Sequence, residues 1–279
     1  MKSSILNRTK IENRKSPVGI LDSGVGGLSV LREIRAALPA ENLIYVADQA
    51  RVPYGPRSTT EIRAFSQAIT QFLLNQQAKL IVVACNTASA AALSWLRETF
   101  PQTLFVGMEP AIKPAAAHTK NGRVGVLATT ATIESERYAA LRGRFARDVT
   151  VYEDPCIGLV DLIESGDLDS PRLETVLRGC LDPMLAADVD TIVLGCTHYP
   201  FVLPVIERIA GTAVTVIDPA PAIARQTQRI LQNHNLLTSA DGDGSLHLLT
   251  TAAPAPLTSF AQRTLAFTGM AETVVIGNQ

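Results

Sequence analysis

The chain has 279 residues, of which 47% are hydrophobic and 18% charged, a composition that supports one large globular domain or two modest ones and excludes disorder along most of the length. Its 25 Lys plus Arg against 26 Asp plus Glu leave a net charge of −1, so no broad basic footprint for nucleic acid is expected. The longest apolar stretches, 80–84 and 191–194, are far short of the roughly 18 residues that cross a bilayer, so no membrane partner is expected either.

Residues 1–16 hold Lys2, Arg8, Lys10, Arg14 and Lys15 against Glu12 and lack an apolar core with a cleavage site; they read as a flexible N-terminal extension of a cytoplasmic protein, not a secretory signal. A strand VGIL (18–21) then leads through a Gly-rich turn into a helix at 28–38, followed by LIYVAD (43–48), a helix near 59–76, LIVVAC (80–85) and a helix near 88–98. The strand TLFVGM (103–108) and the Pro-flanked connection EPAIKP (109–114) close this half. Next come VGVL (124–127), a run at 149–154, a helical pattern ending at Glu164, TIVLGC (191–196) and VTVIDPA (214–220). A helix near 221–232, a polar Gly/Asp turn (239–245), a strand at 246–252 and a helix near 256–267 complete the chain. Apolar strands alternating with helices are the rhythm of an α/β fold with parallel sheets covered on both faces.

Internal repetition divides this rhythm in two. Val18–Leu21 recurs as Val124–Leu127 and Leu43–Asp48 as Val149–Asp154, both 106 residues later, while Leu80–Cys85 meets Thr191–Cys196 at an offset of 111. The expectation is two pseudo-symmetric lobes, each a mostly parallel sheet flanked by helices, with the active site in the cleft between them. The first lobe would comprise 17–108 plus 220–279, the tail returning to it, and the second 109–219.

Ligands of open parallel sheets sit beyond the carboxyl ends of the strands. Four loops lie there: Asp22–Gly27, Pro53–Pro56, Cys85–Thr87 and Cys196–Pro200. The four cysteines, Cys85, Cys156, Cys180 and Cys196, form no CxxC pair, which disfavours a zinc knuckle or dithiol motif. A lone strand-end Cys is ordinarily a small buried hydrophobe. Cys85 and Cys196, however, are equivalent under the repeat, and each directly precedes a segment that can start a helix, where N–H groups favour an anion. Facing each other across a pseudo-twofold axis, two thiols of similar acid strength suit inversion at a carbon acid, one taking a proton and the other giving one.

Asp22 follows the first strand and could serve Cys85 or hold a substrate ammonium; its plainer use is a helix cap. Gly24-Val25-Gly26-Gly27 reads as an anion cradle but misses both GxGxxG and the P-loop pattern. Ser23, Asn86, Thr87 and Thr197 offer neutral donors, and His198 stands two residues from Cys196; His118, His234 and His247 read as surface positions. Cys156 and Cys180 lie off the strand ends and read as structural.

GILDSGVGGLSV (19–30), PYG (53–55), ACNTAS (84–89), VGVLAT (124–129) and LGCTHYP (194–200) together resemble the glutamate racemases of the aspartate/glutamate racemase family, across residues 17 to about 270. The resemblance implies interconversion of L- and D-glutamate without a cofactor or metal, supplying D-glutamate for peptidoglycan. It implies that Cys85 deprotonates D-glutamate, assisted by Asp22, and that Cys196 deprotonates L-glutamate, assisted by His198 and Glu164. It also implies substrate contacts from Asp22, Ser23, Tyr54, Gly55, Asn86, Thr87, Thr197 and His198. Two departures are visible. The segment leading to Glu164 reads Asp154-Pro155-Cys156-Ile157 in place of the usual Cys-Pro opening, and a basic extension precedes Pro17. Racemases with such an extension include forms activated by UDP-N-acetylmuramoyl-L-alanine, which makes this precursor a candidate partner; monomer and homodimer both remain open.

The expected chemistry is a 1,1-proton transfer, with donors around the α-carboxylate and a dry cleft supplying the stabilisation. Pyridoxal phosphate is not expected, since Lys79 precedes its strand at the wrong rim and Lys113 lies in the inter-lobe connection. The rivals are a racemase for aspartate or hydantoins, and a two-lobe binding module, which would need no paired thiols.

Overall fold

The computed structural model describes residues 14–239 and 242–277. Of the basic N-terminal extension only 14–16 therefore fall within the described residues. Among these residues no helix is long and apolar enough to cross a membrane.

In chain order the elements are β1 (Val18–Asp22), α1 (Leu28–Ala37), β2 (Leu43–Ala47), α2 (Thr59–Asn75), β3 (Leu80–Val83), α3 (Asn86–Thr99), β4 (Phe105–Gly107) and α4 (Ile112–His118). They continue with β5 (Arg123–Leu127), α5 (Thr130–Ile133), α6 (Glu136–Phe145), β6 (Thr150–Asp154), α7 (Leu159–Glu164), α8 (Pro171–Ala186) and β7 (Thr191–Leu194). A short 3₁₀ turn (Tyr199–Val202) precedes α9 (Leu203–Ala210), β8 (Thr215–Ile217), α10 (Ala220–Asn233), β9 (Leu246–Thr250), α11 (Pro254–Leu265) and β10 (Glu272–Thr273).

The strands form two sheets, one of order β10-β9-β2-β1-β3-β4 and one of order β6-β5-β7-β8, and every pairing is parallel. The core strands β2-β1-β3-β4 and β6-β5-β7-β8 repeat one topology, as the sequence repeat implied. The offset of the second repeat unit is corrected by register: Val18 pairs with Leu43 but Val124 pairs with Val151, a spacing of 108. The third unit keeps its 111, since Val18 pairs with Leu80 and Val124 with Thr191. β9 joins the first sheet beside β2, so the C-terminal tail returns there, and α10 packs on α1. The Pro-flanked connection is partly helical, because Lys113 lies within α4.

Along β1 the side chains alternate between two apolar layers, Val18 and Ile20 on one face and Leu21 on the other. The layer holding Val18 and Ile20 runs without interruption into Leu127, Ile192 and Leu194 of the other sheet. One shared core therefore fixes the two sheets against each other, while separate layers cover their outer faces.

At the rim opposite the strand C-termini, Lys79 and Glu41 form an ion pair of 2.5 Å with side chains only 3% and 2% exposed. Lys79 Nζ also donates to the Arg14 carbonyl, and the Thr238 N–H donates to Glu41 Oε1 at 2.7 Å, so both charges are satisfied. Removing one partner strands the other charge in a dry site. Glu41→Ala is expected to lower unfolding free energy by about 3–5 kcal/mol in urea titration, whereas a loss within experimental error would mean that water reaches Lys79.

Candidate active site

The C-terminal ends of β1, β3, β5 and β7 converge on a cavity of about 1410 Å³. Ser23, Tyr54, Gly55, Cys85, Thr87, Cys196, Thr197 and His198 all line it. Both sulfurs are buried, Cys85 at 4% and Cys196 at 6% exposure. They are near enough that Cys196 contributes to the upward shift of the Cys85 thiol. Asp22 and Glu164 stand behind this wall, the first wholly buried, the second with its side chain 13% exposed. Asn86 is buried between the lining residues Cys85 and Thr87, and neither end of its amide has a hydrogen-bond partner in the protein. A buried amide with both ends unpaired is costly, and it marks a place where a polar ligand would be bound.

The two thiols are held differently. Cys85 caps α3: its sulfur accepts from the Ala88 N–H at 3.4 Å, and Ser23 Oγ lies 3.8 Å away. The helix N-terminus does not activate it. Burial raises the thiol, the Asp22 carboxylate raises it further, and against these the Ala88 N–H is the weaker influence, so Cys85 is pushed up to about 12. Cys196 has no helix directly after it, because the 3₁₀ turn begins only at Tyr199. Its support is His198, whose Nδ1 lies 3.6 Å from the sulfur. The expectation of two alike thiols is thus corrected: equivalent strand ends present unlike surroundings.

His198 Nε2 meets Glu164 Oε1 at 2.6 Å. Burial alone would lower the imidazole, but its hydrogen bonds to Cys196 and Glu164 outweigh this and hold it well above its ordinary value. Burial would likewise raise Glu164, yet His198, the Val25 N–H and Gln49 together keep it below the usual range. The structure therefore brings Glu164, His198 and Cys196 into one line despite the unusual segment before Glu164. Asp22 is raised, first by burial, with His198 and the Gly24 N–H opposing.

The glycine loop holds an anion, though not a ligand's. Val25 N donates to Glu164 Oε1 at 2.7 Å and Gly24 N to Asp22 Oδ2 at 2.9 Å, so the cradle is filled by protein carboxylates. A Cβ on Gly24 would run into the Glu164 carboxylate, and one on Gly26 into the His198 ring, which is why both positions lack a side chain. Further contacts pin the lobes together beside the cavity. Thr197 Oγ1 donates to Asp22 Oδ1 at 3.2 Å, Ser29 Oγ to the Thr197 carbonyl at 2.9 Å, and the Thr87 and Thr129 hydroxyls meet at 2.9 Å.

Several residues escaped the sequence reading. Asp48, wholly buried, accepts from Tyr54 Oη at 2.6 Å and from Arg51, and so sets the lining Tyr54. Tyr45 Oη donates to the Gly24 carbonyl at 2.5 Å and fixes the glycine loop. Gln49 reaches Glu164, and Thr129 lines the cavity. For Asp48 the signal was present, an acid directly after β2, one residue beyond the partner of Asp22 at the end of β1. Cys156 is corrected too: it follows β6 by two residues and lines the cavity, and its sulfur, that of Cys180 and an Asp154 oxygen lie within 4.8 Å of one another. Lys79 is at the far rim on Glu41, and Lys113 sits over the Phe145 ring. His118, His234 and His247 are exposed.

Two parallel sheets of one topology with paired cysteines at their facing ends define a class, and comparison gives it a family. Residues 18–227 match the family described as Asp/Glu/Hydantoin racemase, and the chain belongs to it. It is 57% identical to a glutamate racemase of Pseudomonas aeruginosa over 222 residues, 80% of this chain and 84% of that one. Its fold matches glutamate racemase from Francisella tularensis in complex with D-glutamate at TM-score 0.82 and 30% identity, covering 94% and 98% of the two chains. It matches Escherichia coli glutamate racemase in complex with L-glutamate and the activator UDP-MurNAc-Ala at 0.81 and 33%, covering 94% and 99%.

The shifts of His198 and Glu164 have a consequence for stability. A raised His198 contributes fully below its unfolded value near 6.5 and loses that contribution as pH rises through the folded value; a lowered Glu164 contributes above about 4.5 and loses it as pH falls through its folded value. The melting-temperature gap between wild type and His198→Asn is therefore expected to be widest between about pH 4.5 and 6.5 and to narrow on the alkaline side. A gap that widens with rising pH would contradict this ion pair.

Proposed function

We propose that the chain interconverts L- and D-glutamate by a two-thiol 1,1-proton transfer and supplies D-glutamate for peptidoglycan synthesis in the cytoplasm. The observation that carries the reading is the pair of buried cysteines lining one cavity, at equivalent strand ends of two sheets whose four core strands share one order. The 57% identity to a glutamate racemase supports glutamate over aspartate or a hydantoin.

In this reading Cys196, beside an imidazolium held by Glu164, removes the α-proton of L-glutamate, while Cys85, a weak acid pushed up to about 12, gives a proton to the opposite face. The reverse direction needs Cys85 as the base. Asp22, whose carboxyl burial raises, would then accept the thiol proton and leave the thiolate to act. Asn86, Ser23, Thr87 and Thr197 would hold the α-carboxylate, whose growing enolate character calls for preorganised neutral donors. Tyr54, set by Asp48, together with Gly55 would close the other side. The unit boundaries read from the chain, 17–108 plus 220–279 and 109–219, serve this mechanism as two lobes that enclose the substrate between them and exclude water. UDP-N-acetylmuramoyl-L-alanine is proposed as an activator of this chain by likeness to the Escherichia coli relative.

Circular dichroism of D-glutamate in the presence of the protein, with no cofactor added, is expected to decay to zero. Cys85→Ser and Cys196→Ser should each slow that decay by about 10²–10⁴-fold. Undiminished optical activity of glutamate alongside decay of aspartate would reassign the substrate, and full activity of either serine variant would overturn the two-thiol path.

A further inference from the structure

The carboxylate of Glu164 is held from both lobes. Its Oε1 takes the His198 Nε2 contact of 2.6 Å and the Val25 N–H at 2.7 Å. Its Oε2 accepts from Gln49 Nε2, 3.2 Å away, on the loop after β2. Gln49 is itself fixed: Thr250 Oγ1, wholly buried at the end of β9, donates to Gln49 Oε1 at 2.9 Å. The same hydroxyl accepts the Ala252 N–H at 3.1 Å, leaving its one proton for Gln49. That specifies the amide's orientation, since the flipped amide would lose the Thr250 donor and aim its carbonyl at a carboxylate. A continuous line of contacts thus runs from Thr250 through Gln49, Glu164 and His198 to the Cys196 sulfur.

We propose that Gln49 is a positioning residue for Cys196: it spans the seam between the lobes and, through Glu164 and His198, fixes where the sulfur and its imidazole partner stand. The inference rests on the proposed racemase reading only for its effect on turnover. Without Gln49, Oε2 has lost its donor, and Glu164 can swing away from the line that Oε1 makes with His198. The strand β9 that orients Gln49 enters the sheet from the far end of the chain, which gives the returning tail a part in the second thiol's chemistry. The charged and titratable groups facing this line are Asp22 at the end of β1, Tyr45 on β2 and Cys196 itself. Gln49 is the neutral donor to Glu164 Oε2.

The test is the pH dependence of alkylation of each cysteine by iodoacetamide, read by peptide mass spectrometry in full-length wild type, Gln49→Ala and Thr250→Val. In Gln49→Ala the Cys196 midpoint is expected to move up by about half a pH unit or more, with the alkylation rate of Cys85 at a fixed pH unchanged as an internal control. Thr250→Val should move Cys196 in the same direction by less. Because enantiomers have equal free energy, kcat/KM must fall by one factor in both directions, about tenfold in Gln49→Ala. Gln49→Glu, which sets a carboxylate against Oε2, should fall further, and more at alkaline than at acid pH. An unmoved Cys196 midpoint, or a Cys85 alkylation rate changed as much as that of Cys196, overturns the proposal. Alkylation needs no turnover, so that result would stand apart from any failure of the racemase reading, which would show as absent turnover in wild type.

Discussion

Parallel strands deliver their loop chemistry at their C-terminal ends, and here two sheets of the same four-strand order turn those ends onto one cavity. Everything in the site follows from that constraint. Once β3 and β7 occupy equivalent places, a cysteine after each brings two sulfurs to the same cavity. The continuous apolar layer from Val18 to Leu194 keeps the sheets in a fixed relation. The polar seam beside the cavity then sets the details, with the Glu164 carboxylate seated in the glycine loop of the opposite sheet.

Equivalence of position is not equivalence of chemistry. Cys85 is held by a helix N-terminus and a buried carboxylate neighbour, and burial and the carboxylate outweigh the helix, pushing the thiol up to about 12. Cys196 is held by an imidazole that its contacts with the sulfur and Glu164 keep well above its ordinary value. The two strand ends therefore carry unlike electrostatic surroundings, an acid beside one sulfur and an imidazole beside the other. A pseudo-symmetric fold presents two different thiol environments because the loops after the strands differ while the strand order does not.

Much of this was legible in the sequence. The runs at 18–21, 80–85 and 191–196 are short, apolar and bounded by turn residues, so strand identity, parallel pairing and the two thiols could be read directly. What stayed hidden depends on tertiary contact. Gly24 and Gly26 looked like a ligand cradle because an anion site and a close approach leave the same trace, absent side chains; only the fold reveals that Glu164 and His198 fill the space. Gln49 carries no local signal, since its partners Glu164 and Thr250 lie 115 and 201 residues away in the chain. The second repeat unit was misaligned by two residues because register between parallel strands is set by pairing, which a match of generic apolar letters does not report.

The central claim is that two different sulfurs handle the proton on the two faces of one carbon. Its most direct test is the first few per cent of L-glutamate conversion in deuterium oxide, followed by separating the enantiomers and reading deuterium at Cα. The account predicts that D-glutamate carries one deuterium from its first appearance while unreacted L-glutamate keeps its hydrogen. D-glutamate that retains the original hydrogen would mean a single group carries the proton across, and would contradict the two-thiol mechanism.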